Sequence, residues 1–487
     1  MKLKNLLKNK VFVYASIMEL LFVLLIFAEY PLRKIFGDYF TPPLTGYIFI
    51  YFIFIFSGLI FFYFLIYKLG KNNKDIIKNN FKIIIFFFIL FQLTLLIIPP
   101  LGSSDLYNYI YRTKVLTHYH ENPFLVPPDT FPQDPLINLT WSEAHNTPLI
   151  YGPLWLGISI LPTVLAFNDI TAGVMLFKLL AILFSIISGF LIFKILARIK
   201  PDYKYLGFTL YVFNPLLLFE IANNGHNDIA MMFFVLLSVY FFLKEKYCLS
   251  IAILTLSVII KFITILLLPI LVLIIINKKG KIKEKIKFIS LSILIFFTVI
   301  FLGYFLSGNN LKIFLGVLKQ TQMSIFTHFS LFPLLLQTFF QNLDIIIIKK
   351  ISNLAFIISY VIIITRILYL KNKDFYNLIK YFFLVFFLYF ILASTWLMPW
   401  YFIWIIPLAV ILNYNANDAN DTQITRTITK FRYEKIIFYI TTLGLMSYTF
   451  LIYPIFYLLS IVGLIYYFIL KKFLKSKHET KHNSSVL

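Results

Sequence analysis

The sequence predicts an all-α polytopic membrane protein with about 14 transmembrane helices, and three observations carry that prediction. Hydrophobic residues make up 60% of the 487-residue chain and charged residues only 13%, with a mean hydropathy of +0.86. Apolar runs approaching the roughly 20 residues that cross a bilayer as helix recur from end to end. These runs lack the alternation of apolar and polar residues on which a membrane β-barrel depends, and no polar block is long enough to build a soluble core.

Spans are expected at 11–29, 44–67, 82–99, 172–194, 204–221, 228–243, 247–260, 262–276, 286–306, 346–370, 376–394, 398–412, 435–452 and 455–470. The first follows a lysine-rich start and lacks a small-residue cleavage site, so it reads as a retained signal anchor. The net charge of +23 follows from topology rather than from nucleic-acid binding. Lys and Arg collect on the cytoplasmic ends of membrane helices, and with both termini inside, 34 of the 44 basic residues fall on that side, against 9 of the 21 acids.

Two assignments rest on this bias. Residues 247–276 are flanked by "KEK" and "NKKGK", so both ends belong inside. The segment therefore reads as a short hairpin with Lys261 at a recessed outer tip. The run "YGPLWLGISILPTVLAF", 151–167, would put Lys194, Arg198, Lys200 and Lys204 outside if it crossed, so it reads as a helix on or in the outer leaflet. Residues 307–345 stay outside or shallow by the same count. The resulting plan has an N-terminal helix pair (1–81), a central module (82–412) with an outer loop at 100–171, a cytoplasmic loop (413–434), and a C-terminal helix pair with a basic tail (435–487).

Three polar stretches then share the outer face: 103–124, "NNGHND" at 223–228 and "STWLMPW" at 394–400. In the first, Ser104 is an expected N-cap for a helix from Asp105 to about His118. Asn108, Tyr109 and Arg112 follow Asp105 on one face. The dipole at a helix start keeps a carboxylate ionised, and a dipole-matched Asp on a surface helix is the simpler alternative to a functional one. Tyr151 and Trp155 suit the headgroup zone as anchors, while Glu143 and His145 are polar candidates without a pattern. Asn227 is an expected cap and Asp228 a dipole-matched acid, with His226 beside them. Glu220 and Glu19 are acids within apolar segments, where carboxylates are functional candidates by default. Lys261 either snorkels or pairs with a phosphate; Arg112, Lys114, Lys178, Lys312 and Lys319 are the other outer cations to consider. The single cysteine, Cys248, excludes a disulfide framework and a cysteine-based metal site. No P-loop, dinucleotide fingerprint or zinc spacing is present.

Taken in order, the acid after an early span, "NPF", "TPLIYGPLW", "GHND", "IIKFITILLLP" and "MPWYFIWIIP" resemble the GT-C superfamily of membrane glycosyltransferases. The similarity is closest to the polyprenyl-phosphate-mannose-dependent mannosyltransferases, over about 82–412. The resemblance implies a GT-C-like bundle with extracytoplasmic juxtamembrane helices. It also implies an inverting transferase of the cell membrane, acting outside on a polyprenyl-phosphate-linked sugar and a hydroxyl-bearing glycan or lipid acceptor. The catalytic acid maps onto Asp105, a second acid onto Asp228 and the hairpin lysine onto Lys261. In many relatives the catalytic loop follows the first span; here it follows the third, which makes 1–70 an added pair.

The chemistry agrees with these residues. An alcohol needs a carboxylate to accept its proton, and a leaving phosphate needs a cation but no acid, whereas a glycosidase needs two flanking carboxylates. Asp105 is assigned as the base and Lys261 as the phosphate partner. Asp228, Glu143 and Tyr151 are assigned to sugar hydroxyls, and Arg112 and His226 complete the substrate-binding candidates. No cofactor is expected, and metal dependence is left open. A transporter or flippase would show internal repeats and midplane charges, and a lipid-linked glycan polymerase or ligase would place its large outer loop late. In a Cys248→Ser background, Ser103→Cys should react with an impermeant thiol reagent in intact cells and Gly280→Cys should not; the reverse pattern contradicts the topology.

Overall fold

The computed structural model describes residues 8–27, 42–140, 145–278, 280–306, 330–370, 374–394, 397–413 and 433–448. Every regular element among them is helical, and none of these residues forms a strand. The protein is an all-helical membrane protein. Five described stretches are long and apolar enough to cross a bilayer: Ile50–Asn72, Ile170–Ile199, Ile282–Gly303, Ile345–Tyr369 and Phe375–Leu392. A bent pair, Pro201–Val212 with Pro215–Asn223, makes a sixth. The other apolar helices have 10–17 residues, a rise of about 15–26 Å against a hydrocarbon core of about 30 Å. The described residues therefore do not supply fourteen full-length spans. The expected span 455–470 and the end of 435–452 lie outside them.

The N-terminal part packs as three helices, with α1 (Lys10–Leu24) against both α2 (Pro42–Asn72) and α4 (Phe81–Ile97), and the short α3 (Lys74–Asn79) between the latter two in sequence. The Asn9 side chain caps α1 by accepting from the amides of Val11 and Phe12. The outer loop begins with α5 (Asp105–Thr117) and returns through α6 (Pro153–Leu165). With thirteen residues, α6 rises about 20 Å and is too short to cross. The long α7 (Ile170–Ile199) packs against α5, α6 and the 16-residue α10 (Asp228–Leu243).

One expected span is broken. The run 204–221 divides into α8 (Lys204–Val212) and α9 (Pro215–Leu218), bent by 50°. Pro215 has no amide to continue the ladder, and Asn214 restarts the helix by accepting from the Leu217 amide at 3.1 Å. A π-helical turn, Phe219–Asn223, follows, and its asparagines hold the approach to α5. Asn223 Nδ2 donates to the carbonyls of Ile98 (3.1 Å) and Pro99 (2.9 Å), and its Oδ1 accepts from the Leu101 amide at 3.0 Å. The Asn224 Oδ1 accepts from the Gly102 amide at 3.0 Å.

Residues 247–276 do form a hairpin, with α11 (Tyr247–Val258) and α12 (Leu267–Ile276) packed together and Lys261 in the turn. The returning outer loop is pinned to that turn through backbone alone. The Gly152 amide donates to the Ile260 carbonyl at 3.0 Å, and the Leu154 amide to the Ile259 carbonyl at 3.1 Å. A Cβ at position 152 would lie 2.2 Å from the Ile259 carbonyl oxygen, so glycine is required there for close approach. The remaining elements are α13 (Ile282–Leu306), α14 (Leu331–Phe339), α15 (Ile345–Tyr369), α16 (Phe375–Leu392), a 3-10 turn at Pro399–Trp404, α17 (Ile406–Leu412) and α18 (Tyr433–Met446).

Lys178 on α7 is fully buried. Its ammonium donates to the carbonyls of Leu95 (2.7 Å), Leu96 (2.9 Å) and Ile98, which lie where α4 ends and its last carbonyls lack helical partners. Lys178→Met should leave them unsatisfied and destabilise the protein by about 2–5 kcal/mol, measured as a lowered unfolding midpoint in detergent. An unchanged midpoint would remove this cap from the account of the fold.

Candidate active site

The ends of these elements bring Asp105, Tyr151, His226, Asp228 and Lys261 into one neighbourhood. Lys261 Nζ lies 2.7 Å from Asp228 Oδ1. The Trp404 indole N–H donates to the same oxygen. Three rings surround the ammonium, with centroids at 5.0 Å (Tyr401), 5.1 Å (Trp404) and 5.9 Å (Tyr151), a range in which the π-faces attract a cation. The Asp228 side chain is fully buried and that of Lys261 is 18% exposed. Lys261 is thus engaged inside the protein instead of extending to the membrane surface.

Asp105 opens α5, as expected, but on a helix that is buried. Asn108, Tyr109 and Arg112 are all buried on it, which excludes the surface-helix alternative. Ser104 occupies the cap position without a side-chain cap bond; the Ser103 hydroxyl instead accepts from the Asp105 amide at 3.1 Å. The Asp105 side chain remains 28% exposed. Burial among protein atoms pushes its carboxyl from the ordinary 3.8 up to about 6, opposed by Lys261 and Arg112 and reinforced by Asp228. The dipole argument, which expected a weakly basic carboxylate, is outweighed by desolvation.

His226 is fully buried and stacked on Trp400, with centroids 4.2 Å apart and planes at 17°. Its Nδ1 is 3.6 Å from Asp105 Oδ2 and its Nε2 is 3.4 Å from Glu220 Oε2. Neither nitrogen makes a hydrogen bond among the described residues. Glu220 sits on the π-helical turn and accepts from Asn224 Nδ2 at 3.0 Å and from the Tyr448 hydroxyl at 2.7 Å. Asn227, expected to cap α10, makes no cap bond. Its Nδ2 and Oδ1 are buried without a hydrogen-bond partner among the described residues, as is Asp228 Oδ2. Unmet buried polar atoms are costly in a folded protein, and Asp228 Oδ2 belongs to the carboxylate of the ion pair itself, where a polar ligand would satisfy it.

Arg112 is turned toward the returning loop. Its Nη1 donates to the Thr147 carbonyl, and its Nη2 to the Thr147 hydroxyl at 3.2 Å. Tyr151 packs edge-on against Tyr109, with centroids 5.2 Å apart. Glu143 lies outside the described residues. His145 meets the Thr140 hydroxyl at 2.8 Å, and Lys114 is paired with Asp134 at 2.6 Å, so both belong to the loop's own packing. Glu19 accepts from the Thr94 hydroxyl between α1 and α4. Sequence reasoning did not assign site roles to Trp400, Tyr401, Trp404 and Tyr448. The first three were visible as an aromatic run after Pro399, but aromatic runs are ordinary in membrane helices.

An early acid-led loop, a lysine hairpin and an aromatic turn after Pro399 on an all-helical base are the features that the GT-C resemblance led us to expect. Residues 38–277 match the MptA_B family, described as Alpha-(1->6)-mannopyranosyltransferase, N-terminal domain, so this stretch of the chain carries the sequence of a GT-C type mannosyltransferase domain. The match takes in α2 as well as the hairpin. No curated protein matches the chain.

Removing Lys261 should expose how much the ion pair holds. Lys261→Met leaves a buried, unpaired carboxylate and should cost about 3–5 kcal/mol. Adding Asp228→Leu should recover much of that loss, giving a non-additive cycle in detergent unfolding. Strict additivity would show that the pair is uncoupled.

Proposed function

We propose that the chain transfers mannose from a polyprenyl-phosphate carrier to a hydroxyl of a glycan or lipid acceptor, on the extracytoplasmic face and with inversion. The observation that carries this reading is the convergence of Asp105 with the caged Lys261–Asp228 pair. The acceptor oxygen attacks the anomeric carbon as the bond from that carbon to the phosphate oxygen breaks. The acceptor proton passes to Asp105, and the electron pair leaves on the phosphate, beside Lys261. A base with a pKa near 6 accepts that proton more readily than an ordinary aspartate and is still ionised at neutral pH.

In this reading Asp228 orients Lys261 through Oδ1 and offers Oδ2 to a sugar hydroxyl. Asn227 and Tyr151 supply further sugar contacts, and Arg112 holds the loop that carries Tyr151. His226 faces Asp105 from the opposite wall, and Glu143 is kept as a loop candidate for sugar binding. The prenyl chain lies among the apolar helices, which removes the need for a soluble donor-binding domain. The linkage named in the family description, α-(1→6), fits a primary alcohol as acceptor, the least hindered hydroxyl of a hexose.

The test is transfer of radiolabelled mannose from polyprenyl-phosphate-mannose to candidate acceptors by the purified full chain. Asp105→Asn should lower turnover by about 10²–10⁴-fold while the protein stays folded. The pH profile gives the sign. The carboxyl is protonated in the folded protein from about pH 4 to 6, where free aspartate is already ionised, so kcat/KM should fall as pH drops through about 6. Full activity in Asp105→Asn, or a flat profile across that range, refutes the assignment.

A further inference from the structure

A second polar assembly stands at the other end of α18. Its last turn reaches Glu220 through Tyr448, whereas its first turn carries Glu434, which is buried. Glu434 is fixed from three sides: by an ion pair with Lys71, by the Tyr67 hydroxyl at 2.7 Å, and by its own amide donating to Asn413 Oδ1 at 3.1 Å. The Tyr203 hydroxyl accepts from Asn413 Nδ2 at 3.0 Å. None of these residues belongs to the proposed transfer reaction.

Between α2 and α18, a groove of about 800 Å³ opens from this assembly. Its polar end is lined by Lys68, Lys71, Lys435 and Glu434, three lysines against one glutamate, a surplus of two positive charges. Its walls are Ile60, Phe64, Phe438 and Met446. Along α2 the lining runs from Ser57 to Lys71, a rise of about 21 Å. That is close to one leaflet's depth, about half of a bilayer that spans 40–45 Å with its headgroups. A cationic mouth over an apolar trough of leaflet depth is complementary to an anionic headgroup with its acyl chain beneath.

We propose that this groove is a binding site for an anionic glycerophospholipid of the leaflet opposite the Asp105 face, with its phosphate at Lys68 and Lys435 and an acyl chain along Phe64 and Phe438. Glu434 is already neutralised by Lys71 and the Tyr67 hydroxyl, so it does not repel the phosphate as an isolated carboxylate would. The site stands independently of the transfer reaction and lies at the opposite end of α18 from Glu220.

The full chain in detergent, incubated with phosphatidylglycerol or phosphatidylcholine of identical acyl chains, would report the bound lipid by native mass spectrometry. Each lysine near a phosphate contributes about a fivefold preference, so wild type should favour phosphatidylglycerol by roughly tenfold or more. Lys68→Gln with Lys435→Gln should bring that ratio to within about twofold. Equal retention of the two lipids by wild type, or an unchanged ratio in the double variant, overturns the proposal. Should the double variant fail to fold, photocrosslinking from benzoylphenylalanine in place of Phe64 decides the matter in a membrane containing both lipids and a prenyl phosphate. A phosphatidylglycerol adduct supports the site. An adduct to phosphatidylcholine, to the prenyl phosphate or to residues 449–487 of the chain itself, or no adduct, overturns it.

Discussion

The ion pair between Lys261 and Asp228 is the constraint on which the candidate site depends. Neither charge is tolerable alone beneath the membrane surface. Together, with the Trp404 indole on the shared oxygen and three rings around the ammonium, they join four separate parts of the chain. Asp228 starts α10, Lys261 turns the hairpin, Trp404 closes the 3-10 turn and Tyr151 arrives on the returning loop. The pair also fixes the direction of the Lys261 side chain, and it leaves the second carboxylate oxygen of Asp228 without a hydrogen-bond partner among the described residues.

Asp105 depends on the same assembly for its chemistry. At the start of a solvated helix it would be an ordinary strong acid, whereas α5 is enclosed by α6, α7 and the chain leading out of α4. Desolvation then dominates the dipole, and the nearby cations only partly restore the acid's strength. The polar neighbours that enclose it come from remote positions. The Asn223 and Asn224 side chains hold residues 98–102, and Lys178 secures the carbonyls just before them.

Much of this was legible in the sequence, and the remainder has a physical reason. Apolar run lengths and basic flanks revealed an all-helical membrane chain and the hairpin at Lys261, because both follow from local composition. Fourteen equal spans were not recovered. Hydropathy registers that a segment is apolar without registering that "FNPL" ends one helix and begins another at an angle. Asp105 and Asp228 were picked out as acids at expected helix starts and Lys261 as a cation between two apolar arms, and the family resemblance assigned all three to the site. Ser104 and Asn227 were read as caps from residue type alone; neighbouring backbone geometry gave the first role to Ser103 and left Asn227 buried without a cap bond. The Tyr448–Glu220 contact spans 228 positions, and no local pattern encodes it.

The joint between Gly152, Leu154 and the hairpin consists of peptide groups only, and the loop before it is closed in the same manner, by the Leu149 amide on the Pro123 carbonyl at 2.7 Å. Apart from the glycine, neither clasp is written in side chains. The excursion from 124 to 148 is thus closed at its neck by backbone, while side chains of α5 seat it from within, through Arg112 on Thr147 and Lys114 on Asp134.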